Sequence, residues 1–204
     1  MHRPLRAGKR ELGIEMTQRR RPIAQDMPTI FADQKHDRAS RDPIMWIWRA
    51  EELEFAAKAV WKAYLSEMGK WQAGNIEAQL TGHVSLMLYG LSIENYLKAR
   101  LVQAGNASGR SGKFSLKTHK LLDLCERAQI GLCTEEAELL ERLEHFVSWA
   151  GRYPVSLNVE DMYARELSDG GKGPLCDLCT SDCKAVEVFL RRVRLRVEEC
   201  GFTP

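Results

Sequence analysis

Glu94, Asn95 and Lys98 stand together inside the most apolar stretch of the chain, residues 77–103 (EAQLTGHVSLMLYGLSIENYLKARLVQ). A carboxylate and an ammonium in such a setting must be paired or hydrogen-bonded, because an uncompensated buried charge is costly. Glu94 precedes Lys98 by four residues, the favourable order for an ion pair along a helix. One reading is a self-neutralising pair; the other is a polar cleft that holds an anion. Two histidines add proton transfer near neutral pH. One is His119. The other is His145, which shares steps of three, four and seven with Glu138, Glu141 and Arg152, and so lies on one edge with them if the helix runs to Arg152. The plainer reading of that edge is a solvated face with one His–Glu pair. A third constellation is Cys176, Cys179 and Cys183, spelling C-x2-C-x3-C. Two thiolates from one tight turn can reach a tetrahedral zinc ion, yet the second pair of ligands that a zinc site needs is not signalled anywhere. The three are read as ordinary thiols, with a metal site as the alternative, and no cofactor is expected.

These residues need elements to position them. Residues 1–41 are polar, basic and punctuated by prolines, and are expected to form a disordered tail. Residues 42–204 are long enough for one domain with a real core. The first helix should open at Asp42-Pro43, an acidic N-cap with proline at the first helical position. Trp46, Ala50, Leu53, Ala57, Val60, Tyr64 and Met68 then form one apolar stripe. Trp48, Trp61 and Trp71 lie off that stripe or at its end, as flanking core or as part of a subunit interface, the latter being the preferred reading. The central helix is apolar all round and therefore buried, with Gly82 and Gly90 explained by close helix approach. A third helix is read from Thr118 as N-cap to Gly131 as C-cap, with His119 in its first turn. A fourth opens at Thr134 with Leu139, Leu140, Leu143, Phe146, Val147 and Ala150 inward. Residues 153–180 form a long loop with a short helix at 159–167, and a final helix runs from about Ser181 to Glu199. The fold class is all-α.

Composition excludes several functions. The net charge is +2, and residues 1–42 hold ten Lys/Arg against six Asp/Glu, which leaves 20 against 22 beyond them. The folded part is thus not a basic surface, and attraction to nucleic acid must come from the tail or from local patches. No window is apolar enough for a membrane span, and the N-terminus lacks the apolar segment of a signal peptide. A cytoplasmic protein with reduced thiols is expected. The Gly/Ser/Lys stretch 104–117 is not a phosphate-binding P-loop: Ala107 stands where the first glycine belongs, and Phe114 follows Lys113.

Three segments in order, Ser92-Ile93-Glu94-Asn95-Tyr96-Leu97-Lys98, Thr118-His119-Lys120-Leu121-Leu122-Asp123-Leu124 and Trp149-Ala150-Gly151-Arg152-Tyr153-Pro154, make the chain resemble the HEPN superfamily over about residues 43–155. The resemblance implies an up-and-down bundle of four or five helices, often a homodimer. Many such proteins are RNases of toxin–antitoxin or phage-defence systems, so an antitoxin or nucleotidyltransferase partner is implied as well. The family's catalytic motif is an arginine followed four to six residues later by a histidine. Arg152 takes the arginine's place, but no histidine occurs beyond His145. The implied protein is therefore a non-catalytic or degenerate module that binds RNA, a nucleotide or a partner protein through Glu94, Asn95, Lys98, His119 and Arg152. In it Lys98 and Arg152 hold phosphate oxygens. A metal-independent RNase would add His119 or His145 as general base. A purely structural bundle would make the same residues a buried salt-bridge network.

Overall fold

The computed structural model describes residues 38, 40–107, 116–156, 158–166, 170–174 and 180–199. Five α-helices account for nearly all of its regular structure: α1 (Pro43–Gln72), α2 (Gly82–Gln103), α3 (Leu121–Arg127), α4 (Thr134–His145) and α5 (Thr180–Glu198). The all-α expectation holds for the described residues. The basic tail to residue 37 lies outside them, as do Cys176 and Cys179. Arg38, Ser40 and Arg41 are already helical.

Asp42 caps α1 by accepting the Ile44 N–H at 3.0 Å on Oδ1, and Pro43 follows at the first helical position. The helix ends where Gly74 turns left-handed at φ 90°, with the Asn75 N–H on the Lys70 carbonyl. α2 ends in the same way at Gly105. The third helix departs from expectation at both ends. It begins at Leu121, because Thr118 Oγ1 takes the Lys120 N–H in a local turn instead of starting a helix. It closes on Gln129, at φ 58°, and not on Gly131; the Ile130 N–H on the Cys125 carbonyl forces the left-handed residue to that position.

α2 touches every other α-helix and is buried along most of its length. Its contact with α1 is close because the facing residues are small. Ser85 and Ser92 donate their hydroxyls to the carbonyls of Ala57 and Ala50, at 2.9 and 2.8 Å, across a pair of helices running in opposite directions. On another side, Gly90 faces α4. A methyl group there would come within 2.6 Å of Val147 Cγ2, so only glycine allows this approach.

After His145 the helix widens into a π-helical turn, Phe146–Ala150, closed by the Gly151 N–H on the Phe146 carbonyl. Gly151 packs on Met87, with no room for a Cβ. The widened turn moves Arg152 off the straight line with His145 that an unbroken α-helix would give. Beyond it, the short helix expected at 159–167 is only a single 3₁₀ turn, Val159–Met162, and Arg165–Glu166 pairs with Lys172–Gly173 in a two-residue β-ladder. Among the described residues no helix is long and apolar enough to cross a membrane.

Candidate functional site

Glu94 and Lys98 occupy successive turns of α2 and are both buried. The Lys98 ammonium donates to Glu94 Oε1 at 2.5 Å, with side chains only 6% and 5% exposed. The other carboxylate oxygen, Oε2, lies 2.9 Å from His119 Nδ1. A third element closes the group: the indole of Trp46, in the first turns of α1, stands 5.6 Å from the Lys98 ammonium and donates its own N–H to the Ser40 carbonyl. The pair along the helix therefore exists, and a residue 25 positions away in sequence completes it.

His119 is fixed from both sides. Leu116 and Leu121 are buried before and after it. The start of α3 is capped from α4, where Glu144 Oε1 accepts the Leu122 N–H at 3.0 Å and Oε2 stands 3.4 Å from the Lys120 ammonium. Glu144 was invisible as a positioning residue in the sequence, where it reads as one more acidic residue of an amphipathic helix.

The imidazole itself is 62% exposed. A carboxylate only accepts hydrogen bonds, so contact with Glu94 selects the tautomer protonated at Nδ1. Nε2, across the ring, is then a lone-pair base facing outward. Glu94 would stabilise the imidazolium formed when that base takes a proton. Lys117 and Lys120 are exposed on either side. The arrangement can thus hold an anion, exchange a proton, or do both.

The remaining candidates sit elsewhere. Asn95 turns back on its own helix, donating to the Leu91 carbonyl at 2.7 Å. Lys98 is enclosed by Glu94 and Trp46, whereas Lys117 and Lys120, which flank His119 in sequence, are exposed. Arg152 is exposed at the end of the π-turn, bonded to the Ser148 carbonyl and stacked 5.5 Å from the Tyr153 ring; it makes no hydrogen bond to Glu94, Lys98 or His119. His145 is half-buried in a different group with Asp161, Glu141 and Arg165. Burial pushes its pKa down, Arg165 adds to that, and the carboxylates of Asp161, Glu141 and Glu144 partly oppose it. Arg165 and Glu141 pair at 3.1 Å, which fastens the long loop to α4.

Cys183 lies in the core, where burial raises its thiol to about 12, too high for a thiolate at neutral pH. Among the described residues no three His, Cys, Asp or Glu converge to hold a metal ion. A cavity of about 340 Å³ opens at the C-terminal ends of α2 and α3, beside Arg100 and Arg127. Helix C-termini carry partial negative charge, which these arginines offset. It is at the far end of α3 from His119.

A second buried carboxylate escaped sequence reasoning altogether. Glu54 of α1 accepts from Lys58 at 2.6 Å and from Arg194 of α5, whose Nε donates to the Tyr96 hydroxyl at 3.1 Å. Its nearest sequence signal was a position at the margin of the α1 stripe. No protein-family model, curated protein or solved structure matches the chain.

Proposed function

We infer that this chain is a HEPN-like helical module that binds RNA at the edge marked by His119, Lys117 and Lys120. The observation that carries this reading is the contact of a buried carboxylate, Glu94, with an exposed imidazole, His119, at 2.9 Å. Burying Glu94 and Lys98 is expensive, and the cost is larger than a surface histidine would repay through stability alone. What the cluster supplies is an oriented imidazole between two exposed lysines, which together suit the phosphate backbone of a flexible strand. The module would work as a homodimer in the cytoplasm, with an antitoxin or nucleotidyltransferase as its protein partner, as the resemblance implies. The test is a titration of single-stranded RNA by the full chain and by a Lys117→Ala/Lys120→Ala variant. Binding should weaken by roughly tenfold or more in the variant and fall steeply with salt; equal affinity for both would overturn the reading.

A second reading is favoured by the same contact. With Nε2 as a base and Glu94 behind it, His119 could draw the proton from a 2′-hydroxyl as that oxygen attacks the neighbouring phosphorus. One imidazole serves only one side of an in-line displacement, so a second group must protonate the departing 5′-oxygen, and cleavage would be slow without one. Arg152 would have to reach the phosphate from the end of the π-turn. Total RNA incubated in EDTA with the parent, His119→Ala and Arg152→Ala distinguishes the two readings: fragments from the parent alone mean cleavage, and intact RNA throughout means binding only.

A further inference from the structure

α1 presents a second pattern, on the side away from the core. Starting at Met45, exposed positions recur at strictly alternating steps of three and four as far as Gly69, seven steps in all. That is the spacing of a coiled-coil seam, and on a 30-residue helix it is about 36 Å long. Its large members are Met45, Trp48 and Phe55, the last two 59% and 78% exposed. Its small members are Ala59, Ser66 and Gly69, and nothing lies within 4 Å of where a Cβ on Gly69 would be. Between them stand one acid, Glu52, and one base, Lys62.

The order of these residues is informative. Large side chains occupy the N-terminal half and small ones the C-terminal half, with the acid before the base. If a second copy is laid on the seam in the opposite direction, about a two-fold axis level with Ala57, each large residue meets a small one. Met45 then faces the partner's Gly69, Trp48 the partner's Ser66, and Phe55 the partner's Ala59. Glu52 faces the partner's Lys62. Every contact is made twice, as an isologous interface requires. A parallel arrangement would instead set Trp48 on Trp48 and Glu52 on Glu52. Among the described residues Glu52 pairs with Arg49 at 2.8 Å, an exposed contact of little strength, so exchanging it for Lys62 costs little.

We propose that two copies of this chain associate through the outer face of α1, antiparallel, along the seam from Met45 to Gly69. The RNA-facing residues, Lys117, His119 and Lys120, lie outside α1, and Trp46 is not a member of the seam, so this pairing stands or falls independently of RNA binding.

Sedimentation of the full chain tests it with charge exchange. The parent should sediment as a dimer once its concentration reaches roughly 100 μM. Glu52→Lys and Lys62→Glu, each alone, should raise the dissociation constant by roughly tenfold or more, because each sets two like-charged pairs in the seam. The double variant should restore the dimer. Helical circular dichroism unchanged from the parent establishes that these surface variants fold. A monomeric parent, a dimer indifferent to the single exchanges, or a double variant that stays dissociated would each overturn the proposal; indifference to the single exchanges would indicate parallel pairing or another face.

Discussion

Glu54 and Glu94 are nearly the same object. Each is a buried glutamate on a long helix, each holds a lysine four residues on, and each is completed by one nitrogen-bearing side chain from a distant element. The difference is in that third partner. Arg194 is permanently charged, has no acceptor, and gives a further donor to Tyr96, so the Glu54 network clamps α5 to α1 and α2. His119 gives one ring nitrogen to Glu94 and leaves the other facing solvent. The same E-x3-K pattern thus serves as a clamp in one place and as the support of a reactive edge in the other.

The sharpest way to break this comparison is Lys98→Met. It leaves Glu94 buried with one exposed partner, and should cost about 3 kcal/mol or more, which in a domain of this size lowers the melting temperature on the order of 10 °C. A loss of only a degree or two would mean that the Glu94–Lys98 contact does little to hold the fold.

Arg194→Ala comes next. Glu54 keeps Lys58, so the expected loss by chemical denaturation is about 1–2 kcal/mol, with RNA affinity unchanged. A fall in RNA affinity equal to that of the Lys117/Lys120 variant would erase the distinction between the two clusters.

His119→Ala should barely alter stability, by less than about 1 kcal/mol for a mostly exposed partner, while weakening RNA binding. If it instead destabilises as much as Arg194→Ala, His119 is a clamp too.

The smallest effect concerns the histidine outside both clusters. Burial lowers the pKa of His145 below its ordinary 6.5, so the unfolded chain binds a proton that the folded chain refuses. Stability from this group is present above about pH 6.5 and is lost as pH falls below it toward the folded-state pKa. The parent should lose slightly more stability between pH 7 and 5.5 than His145→Gln, measured by urea midpoints; identical slopes would show that the ring is solvated.

How much of this was legible in the sequence depended on the range of the interaction. The start of α1 was, because Asp42 and Pro43 act on their own backbone neighbours. So were the inner stripes of α1 and α4 and the all-round burial of α2, since helical periodicity is local. Gly90 was legible as a close approach, though not as an approach to Val147. The C-cap of α3 was misplaced at Gly131 because the helix closes through the Ile130 N–H on the Cys125 carbonyl, which puts Gln129 in the left-handed position that glycine usually fills. The π-turn after His145, which moves Arg152 away from the shared edge, arises where Gly151 meets Met87, a contact across 64 residues. Within the candidate site, Glu94 and Lys98 could be paired by spacing alone. That His119 joined them and His145 did not was set by Leu116, Leu121 and Glu144, none of which carries any sign of the role. Trp48 as an outward residue was legible, whereas Trp61 packs partly on the core beside Tyr64.

The most direct measurement for the central claim is fluorescence anisotropy of a labelled single-stranded RNA titrated with the full chain, His119→Ala and Arg194→Ala. The account predicts saturable binding by the parent and by Arg194→Ala with the same affinity, and a clear loss in His119→Ala. Absence of binding by the parent, or three superimposable curves, would contradict it.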